Sequence, residues 1–222
     1  MKYLHWNEQT ITDFSDKTVS DAYDTGYVFT RIGKGCMQQT RSVRINLTKF
    51  KLSSENRRIL KKVTHLKLST FVLPLADYDF TIGKLAKDFY ENKFGAGIMS
   101  AQKIKEMITD TKRSNFNMII KYTEKQKSSF LGFSICYINK DIIHYSYPFY
   151  DLNASKDIGL GMMTLAIEYA QEKGLKYVYL GSLQRPTDTY KLQFSGIEWF
   201  DGASWSTDLE EVKKLLSETN TK

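Results

Sequence analysis

The sequence predicts an α/β fold in which a mixed, largely antiparallel sheet is flanked by helices and preceded by an N-terminal extension. Three observations carry this expectation. Met118-Ile119-Ile120-Lys121-Tyr122, Phe130 to Tyr137 and Ile142 to Tyr147 are β-rich segments separated by polar turns at Lys125-Gln126-Lys127 and Asn139-Lys140-Asp141, the pattern of an antiparallel meander. A helix from about Asp157 to Lys173 follows, and then a buried-looking strand from Tyr177 to Leu180, so the end of the meander, the helix and this strand make a β-α-β unit. The 222 residues, 41% of them hydrophobic, suffice for a packed core.

The other elements follow in chain order. After a polar lead come a short helix near Val19 to Thr25 and a strand at Tyr27 to Arg31, with turns at glycines 26, 33 and 35. Arg41 to Leu47 alternates polar and apolar side chains, which predicts a half-buried strand. Glu55 to Leu66 reads as a basic helix. A second helix starts near Thr81 and runs on through Asp88 to Lys93, and a third spans Ala101 to Ile108 beyond the turn Gly95-Ala96-Gly97. Thr207-Asp208-Leu209-Glu210 has the spacing of a capping box and opens a last amphipathic helix. The composition shift near Asp110 to Asn117 divides residues 1–112, an extension with the basic strand-helix region, from residues 113–222, the core; the two can also form one compact unit.

Composition narrows the function classes. No run of roughly 18 apolar residues suggests a membrane span, and Met1 to Glu8 lacks the apolar stretch of a secretory leader, so the expected location is cytoplasmic. Cys36 and Cys136 stand far apart without a CxxC or Cys/His grouping, which argues against a disulfide framework and against a metal site. The formal charge is +7, and Arg41, Arg44, Lys49, Lys51, Arg57, Arg58, Lys61, Lys62 and Lys67 form a run opposed only by Glu55. Such a run suits either a polyanion partner, through counterion release, or a solvated helix face.

Lys156-Asp157-Ile158-Gly159-Leu160-Gly161 has the spacing by which acyl-CoA-dependent acetyltransferases hold pyrophosphate, with Lys in place of Gln or Arg. Glycines let backbone N–H groups approach an anion at a helix start, although two glycines at a strand-to-helix turn also serve tight packing. Together with the meander and the β-α-β unit, this turn suggests an acetyltransferase-like (GNAT-type) core. Tyr147-Pro148-Phe149-Tyr150-Asp151 ends the third β segment, where its rings could stack on a base and Asp151 could accept a proton, or the group could be an aromatic cluster with a capping Asp. His5, His65 and His144 are too scattered for a dyad. Ser182 is in no nucleophile elbow, and Cys36 reads as a buried or incidental thiol.

A longer series of motifs resembles one family. Gly26-Tyr27-Val28-Phe29-Thr30-Arg31, Cys36, Arg41-Ser42-Val43-Arg44-Ile45, Leu52-Ser53 with Arg57-Arg58, Tyr90 and Met99 lie in the first half. Phe149-Tyr150-Asp151, Leu160-Gly161, Tyr177-Val178-Tyr179-Leu180-Gly181, Tyr190-Lys191, Phe194, Glu198, Asp201-Gly202 and Trp205 complete it. In order and spacing the whole chain resembles the aminoacyl-tRNA-protein transferases, the bacterial aspartate/glutamate leucyltransferases and the arginyltransferases.

The resemblance implies an aminoacyltransferase of GNAT-like fold that moves leucine or arginine from charged tRNA to the α-amine of acidic-start proteins, in N-degron protein degradation. It implies catalytic roles for Tyr150, Asp151, Tyr190 and Lys191. Arg41, Arg44, Arg57 and Arg58 would meet RNA phosphates or the acidic acceptor side chain. Gly159 and Gly161 would leave room for the donor, and Gly181, Phe194 and Glu198 would complete substrate binding. No cofactor beyond aminoacyl-tRNA as co-substrate is implied, and the partners are charged tRNA and protein N-termini.

The sequence departs from the family at three places. Met1 stands where a Cys is expected, Phe94-Gly95-Ala96-Gly97 replaces a central Arg-His, and Ser182 to Thr189 replaces the usual aromatic and Ser-x-Lys-Met pattern. Two other readings therefore stay open: an acetyltransferase using acetyl-CoA, and a catalytically silent homologue that binds tRNA or degrons.

Overall fold

The computed structural model describes residues 3–125 and 130–218, which partition into two compact units. The predicted turn at Lys125-Gln126-Lys127 lies, past Lys125, outside them. The first unit comprises the described residues of 1–53, 139–144 and 170–222, and the second those of 54–138 and 145–169.

In the first unit, β1 (Asn7–Thr10), β3 (Cys36–Gln39) and β2 (Tyr27–Phe29) form an antiparallel sheet in the order β1-β3-β2. Composition hides β1 and β3, whose sequences NEQT and CMQQ carry little apolar signal. Helix α1 (Asp16–Asp24) starts earlier than predicted because Ser15 caps it, accepting from Thr18 N. The larger sheet contains β4 (Ser42–Asn46), β9 (Tyr177–Ser182), β10 (Ile197–Phe200), β11 (Trp205–Ser206) and the first residues of β8 (Ile142–Tyr150), in the order β11-β10-β4-β9-β8.

β4 is not half-buried as its alternation predicts. It lies between β9 and β10, pairing antiparallel with both, and Ser42 to Ile45 are all buried. β8 and β9 pair in parallel, Ile142 opposite Tyr177 and His144 opposite Tyr179, as the β-α-β expectation requires. The capping residue of α6 (Leu209–Glu218) is Asp208 and not Thr207, its Oδ1 accepting from the N–H groups of Glu210 and Glu211 at 3.0 Å each. Trp199, Tyr23, Tyr179, Phe29, Met37 and Ile45 fill the core of this unit.

The second unit holds α2 (Ser54–Lys62), β5 (Leu66–Val72), α3 (Phe80–Phe94), α4 (Ala101–Thr109), β6 (Met118–Glu124), β7 (Phe130–Ile138), β8 from residue 145 and α5 (Ile158–Glu172) through residue 169. Its strands run in the order β8-β7-β6-β5, with β5-β6 and β6-β7 antiparallel. The predicted basic helix stops at Lys62, and Leu66 opens β5 in its place. Side-chain caps from Asp79 and Ser100 start α3 and α4 close to the predicted positions. The Tyr122 hydroxyl donates to the carbonyl of Met162 at 2.9 Å and ties β6 to α5. No helix among the described residues is long and apolar enough to cross a membrane.

Candidate functional site

The predicted site residues fall in both units. In the second, β8 delivers Tyr150 and Asp151 to the turn before α5. Tyr150 packs on Phe89, ring centroids 4.7 Å apart, and burial pushes its phenol above the usual tyrosine range. The backbone N–H of Asp151 donates to Leu131 O, and its Oδ1 accepts from both N and Nδ2 of Asn153, at 2.9 and 3.0 Å. That is a turn-forming Asp whose Oδ2 has no hydrogen bond among the described residues.

The glycines beyond this turn do not leave room for a donor. A Cβ on Gly159 would stand 2.6 Å from the Tyr150 hydroxyl, and one on Gly161 2.6 Å from Val63 Cγ1. The N–H groups of Ile158 and Gly161 are bonded to Ser155 O and Asp157 O, which removes two donors from any anion cradle. The space beside each glycine is therefore filled by the protein itself, and close packing explains both.

The basic run is also partly neutralised. Arg58 pairs with Glu55 through its Nε at 2.7 Å, and Lys62 with Asp157 at 2.6 Å, while Arg57 and Lys61 are exposed on the same helix.

In the first unit several motif residues converge on one cluster. Arg44 sits opposite Tyr179 on one neighbouring strand and opposite Glu198 on the other. Its Nε donates to Glu198 at 2.8 Å, and its Nη1 to Asp24 at 2.9 Å and to the Tyr179 hydroxyl at 3.1 Å. The guanidinium carbon lies 4.0 Å from the Tyr177 ring centre and 3.9 Å from that of Trp205. Arg44 and Glu198, both expected to bind substrate, are thus engaged with each other in a buried pair. Phe194, expected in the same role, is buried 6.4 Å from Phe50 in the core.

The end of β9 is different. Gly181 has a φ of +77°, and a Cβ there would meet only His144 Nε2, at 3.9 Å. The next residue, Ser182, accepts through its carbonyl from Lys191 Nζ at 2.8 Å. Lys191 and Tyr190 lie on a 3-10 helix (Pro186–Gln193), Tyr190 exposed and Lys191 partly buried. Burial holds the Lys191 ammonium below the usual lysine range, with Asp188 opposing the shift and Arg185 adding to it. The Arg41 carbonyl accepts from Leu183 N at 2.8 Å, which sets its backbone beside this strand end, and among the described residues its Nε is buried without a hydrogen-bond partner.

Several residues of this edge escape sequence reasoning. His144 is buried, shares a 2.8 Å hydrogen bond with the Tyr23 hydroxyl, and is depressed to about 3 by burial and by Lys191, so it is neutral at pH 7. Gln184 accepts from Leu4 N at 2.7 Å and donates to Leu4 O at 3.0 Å, and Ser182 Oγ bonds the Tyr3 hydroxyl at 2.6 Å. No local pattern announces these partners, which lie 179 or 180 positions apart. Cys36 and Cys136 are buried and form no disulfide, and burial pushes the Cys136 thiol up to about 12. Among the described residues no group of His, Cys, Asp and Glu could hold a metal ion.

Fold and site together define a mixed α/β chain with an acetyltransferase-like order of meander, helix and parallel strand, bearing cationic side chains at the end of that strand. The chain is 29% identical over 168 residues to an aspartate/glutamate leucyltransferase of Ruegeria pomeroyi, over 74% of this chain and 60% of that one. To the enzyme of the same name from Ruegeria sp. it is 27% identical over 181 residues, 80% of this chain and 65% of that one. The resemblance read from the motifs is thereby borne out, and the chain spans 60% to 65% of the length of these relatives. No family model matches. Among solved structures, L-PGS from Bacillus licheniformis is similar with a TM-score of 0.48 at 10% identity, over 93% of this chain and 71% of that one.

Proposed function

We propose that the chain is an aminoacyl-tRNA-dependent acyltransferase that adds leucine to the α-amine of proteins beginning with an acidic residue. The observation that carries this reading is the sequence identity to two leucyltransferases, which extends over most of the chain. The donor ester is already activated. The acceptor nitrogen attacks the ester carbonyl carbon, the bond to the terminal ribose oxygen breaks, and the proton lost by the amine ends on that oxygen. An α-amine with a pKa of about 7.7–8.0 is partly neutral near pH 7, so alignment and oxyanion stabilisation are the main requirements.

In this reading Lys191, with Tyr190 beside it, faces the developing oxyanion or the terminal adenosine. Tyr150 and Asp151, which belong to the other unit, are candidates to orient an amine, with Asp151 a candidate proton acceptor. Arg57 and Lys61 offer an exposed face for tRNA phosphates. Charged tRNA as donor makes the cytoplasm the compartment of the reaction, and transfer to acidic N-termini would mark proteins for degradation. The acetyl-CoA reading is weaker because the turn that would hold pyrophosphate is packed by Tyr150 and Val63.

The test mixes purified protein with leucyl- or arginyl-tRNA and peptides beginning in Asp, Glu or Ala, with acetyl-CoA in a parallel reaction. A mass gain of one leucine residue on the Asp and Glu peptides, dependent on charged tRNA, is expected. A gain of arginine corrects the donor, acetylation transfers the case to the acetyltransferase reading, and no product in any arm favours the silent homologue.

A further inference from the structure

The sheet edges of this chain are short, with one exception. The larger sheet ends on β11 and β5, and the smaller on β1 and β2. β11 has two residues, β2 three and β1 four, the last being the polar Asn7-Glu8-Gln9-Thr10, so none offers a long ladder to another strand. β5 has seven residues, all paired with β6, and among the described residues no strand lies on its other side. Near its end Phe71 is 43% exposed and Val72 81%.

The phase of the ladder decides which backbone groups are open. Lys125 N donates to His65 O and Leu73 N to Asn117 O, both at 2.9 Å, and between them the register runs unbroken from Leu66 opposite Glu124 to Val72 opposite Met118. Hydrogen-bonded pairs alternate in an antiparallel ladder, so Lys67, Ser69 and Phe71 turn their backbone groups to β6, and Leu66, Leu68, Thr70 and Val72 turn theirs outward. Leu66 N is used by Val63 O; the N–H groups of Leu68, Thr70 and Val72 meet no acceptor among the described residues. Such a row is a template for a further strand.

We propose that β5 of one protomer pairs antiparallel with β5 of a second copy of this chain, about a two-fold axis at Ser69. The side chains favour this occupant and this direction. Lys67 is the single charge of the strand and stands near one end, with the exposed Phe71 and Val72 at the other. A parallel copy would set Lys67 against Lys67. The antiparallel one sets Lys67 opposite its partner's Phe71, Leu66 opposite Val72 and Leu68 opposite Thr70, and it overlaps the strand along its full length. Lys67 and Phe71 then meet at a non-hydrogen-bonded position, where side chains approach most closely and an ammonium can lie against a ring. Both ends of the contact are alike, as a two-fold interface requires. A lysine that would guard this edge against an apolar strand thus selects the partner. The contact is independent of the aminoacyl-transfer reading.

The test measures the mass of the full chain by sedimentation equilibrium across a wide concentration range. A contact of this small size implies a dissociation constant on the order of 10–100 µM, so the mass should rise toward that of a dimer as the concentration passes through those values. Thr70→Pro removes an outward donor and no bond to β6, and should weaken the dimer by about tenfold or more. Phe71→Lys sets like charges opposite each other at both ends and should weaken it about tenfold. Adding Lys67→Glu to Phe71→Lys makes the facing charges opposite and should restore association, showing that the loss was not one of folding. A chain that stays monomeric throughout overturns the proposal. So does a dimer that Thr70→Pro or Phe71→Lys leaves unchanged, or one that the double variant fails to restore.

Discussion

Arg44 in the middle of β4 and Arg41 just before it are three positions apart, yet their surroundings are opposite. Arg44 has a carboxylate on each side, a tyrosine hydroxyl, and two aromatic rings against its guanidinium. Arg41 has a buried Nε and no partner for it. A buried charge held by two carboxylates and a hydroxyl serves packing, whereas a buried donor with no partner among the described residues is not fixed by the fold in that way. The same contrast separates Gly161, whose missing side chain makes room for Val63, from Gly181, beside which little is packed.

The largest effect that could break this comparison comes from the Arg44 pair. E198A leaves a buried guanidinium short of its closest carboxylate and should cost about 3–5 kcal/mol in a urea unfolding experiment. R41M removes an unsatisfied donor and should change stability by less than about 1 kcal/mol. Equal losses in the two variants would mean that Arg41 is as structural as Arg44, and the contrast drawn between them would disappear.

A smaller effect separates the glycines by mechanism. G161A drives a Cβ into Val63 and should cost about 1–3 kcal/mol, with a reduced cost when Val63 is already Ala, so that a double-mutant cycle shows coupling. G181A meets no neighbour closer than 3.9 Å, but its left-handed backbone costs about 1–2 kcal/mol. Asn, which tolerates that conformation, should recover part of the loss at position 181 and none at position 161.

These contrasts also mark what the sequence could disclose. The meander, α5, the parallel strand after it and the starts of α3 and α4 are local, so periodicity and caps reveal them. β1, β3 and β5 are polar or edge segments and leave no clear period. The alternation in β4 was legible, but its burial on both faces depends on β9 and β10, which lie more than a hundred residues away. Motif order brought attention to Arg44, Tyr177, Glu198 and Trp205 without saying that they touch. Spacing placed Gly159 and Gly161 at a helix start but could not show that Tyr150 and Val63 fill the room they leave. Arg41 and Lys191 were both singled out; that neither has a carboxylate within ion-pair distance among the described residues is a property of the fold alone.

The Lys191 charge should be felt by His144. Its folded-state pKa of about 3 lies below the unfolded value of about 6.5, so below pH 6.5 the unfolded chain binds a proton that the folded chain refuses. Stability from this group is complete above pH 6.5 and is lost as pH falls toward 3, at about 1.4 kcal/mol per pH unit once well below 6.5. Unfolding free energies measured from pH 7 down to 5, above most carboxylate titrations, should fall by about 2 kcal/mol in all, the slope steepening toward that value near pH 5, and H144Q should flatten it. Burial is the main cause of the depression and the Lys191 ammonium the second, so K191M should lessen the slope at lower pH without abolishing it. If K191M leaves the His144 titration unmoved, the lysine charge is compensated in solution and burial alone sets the depression.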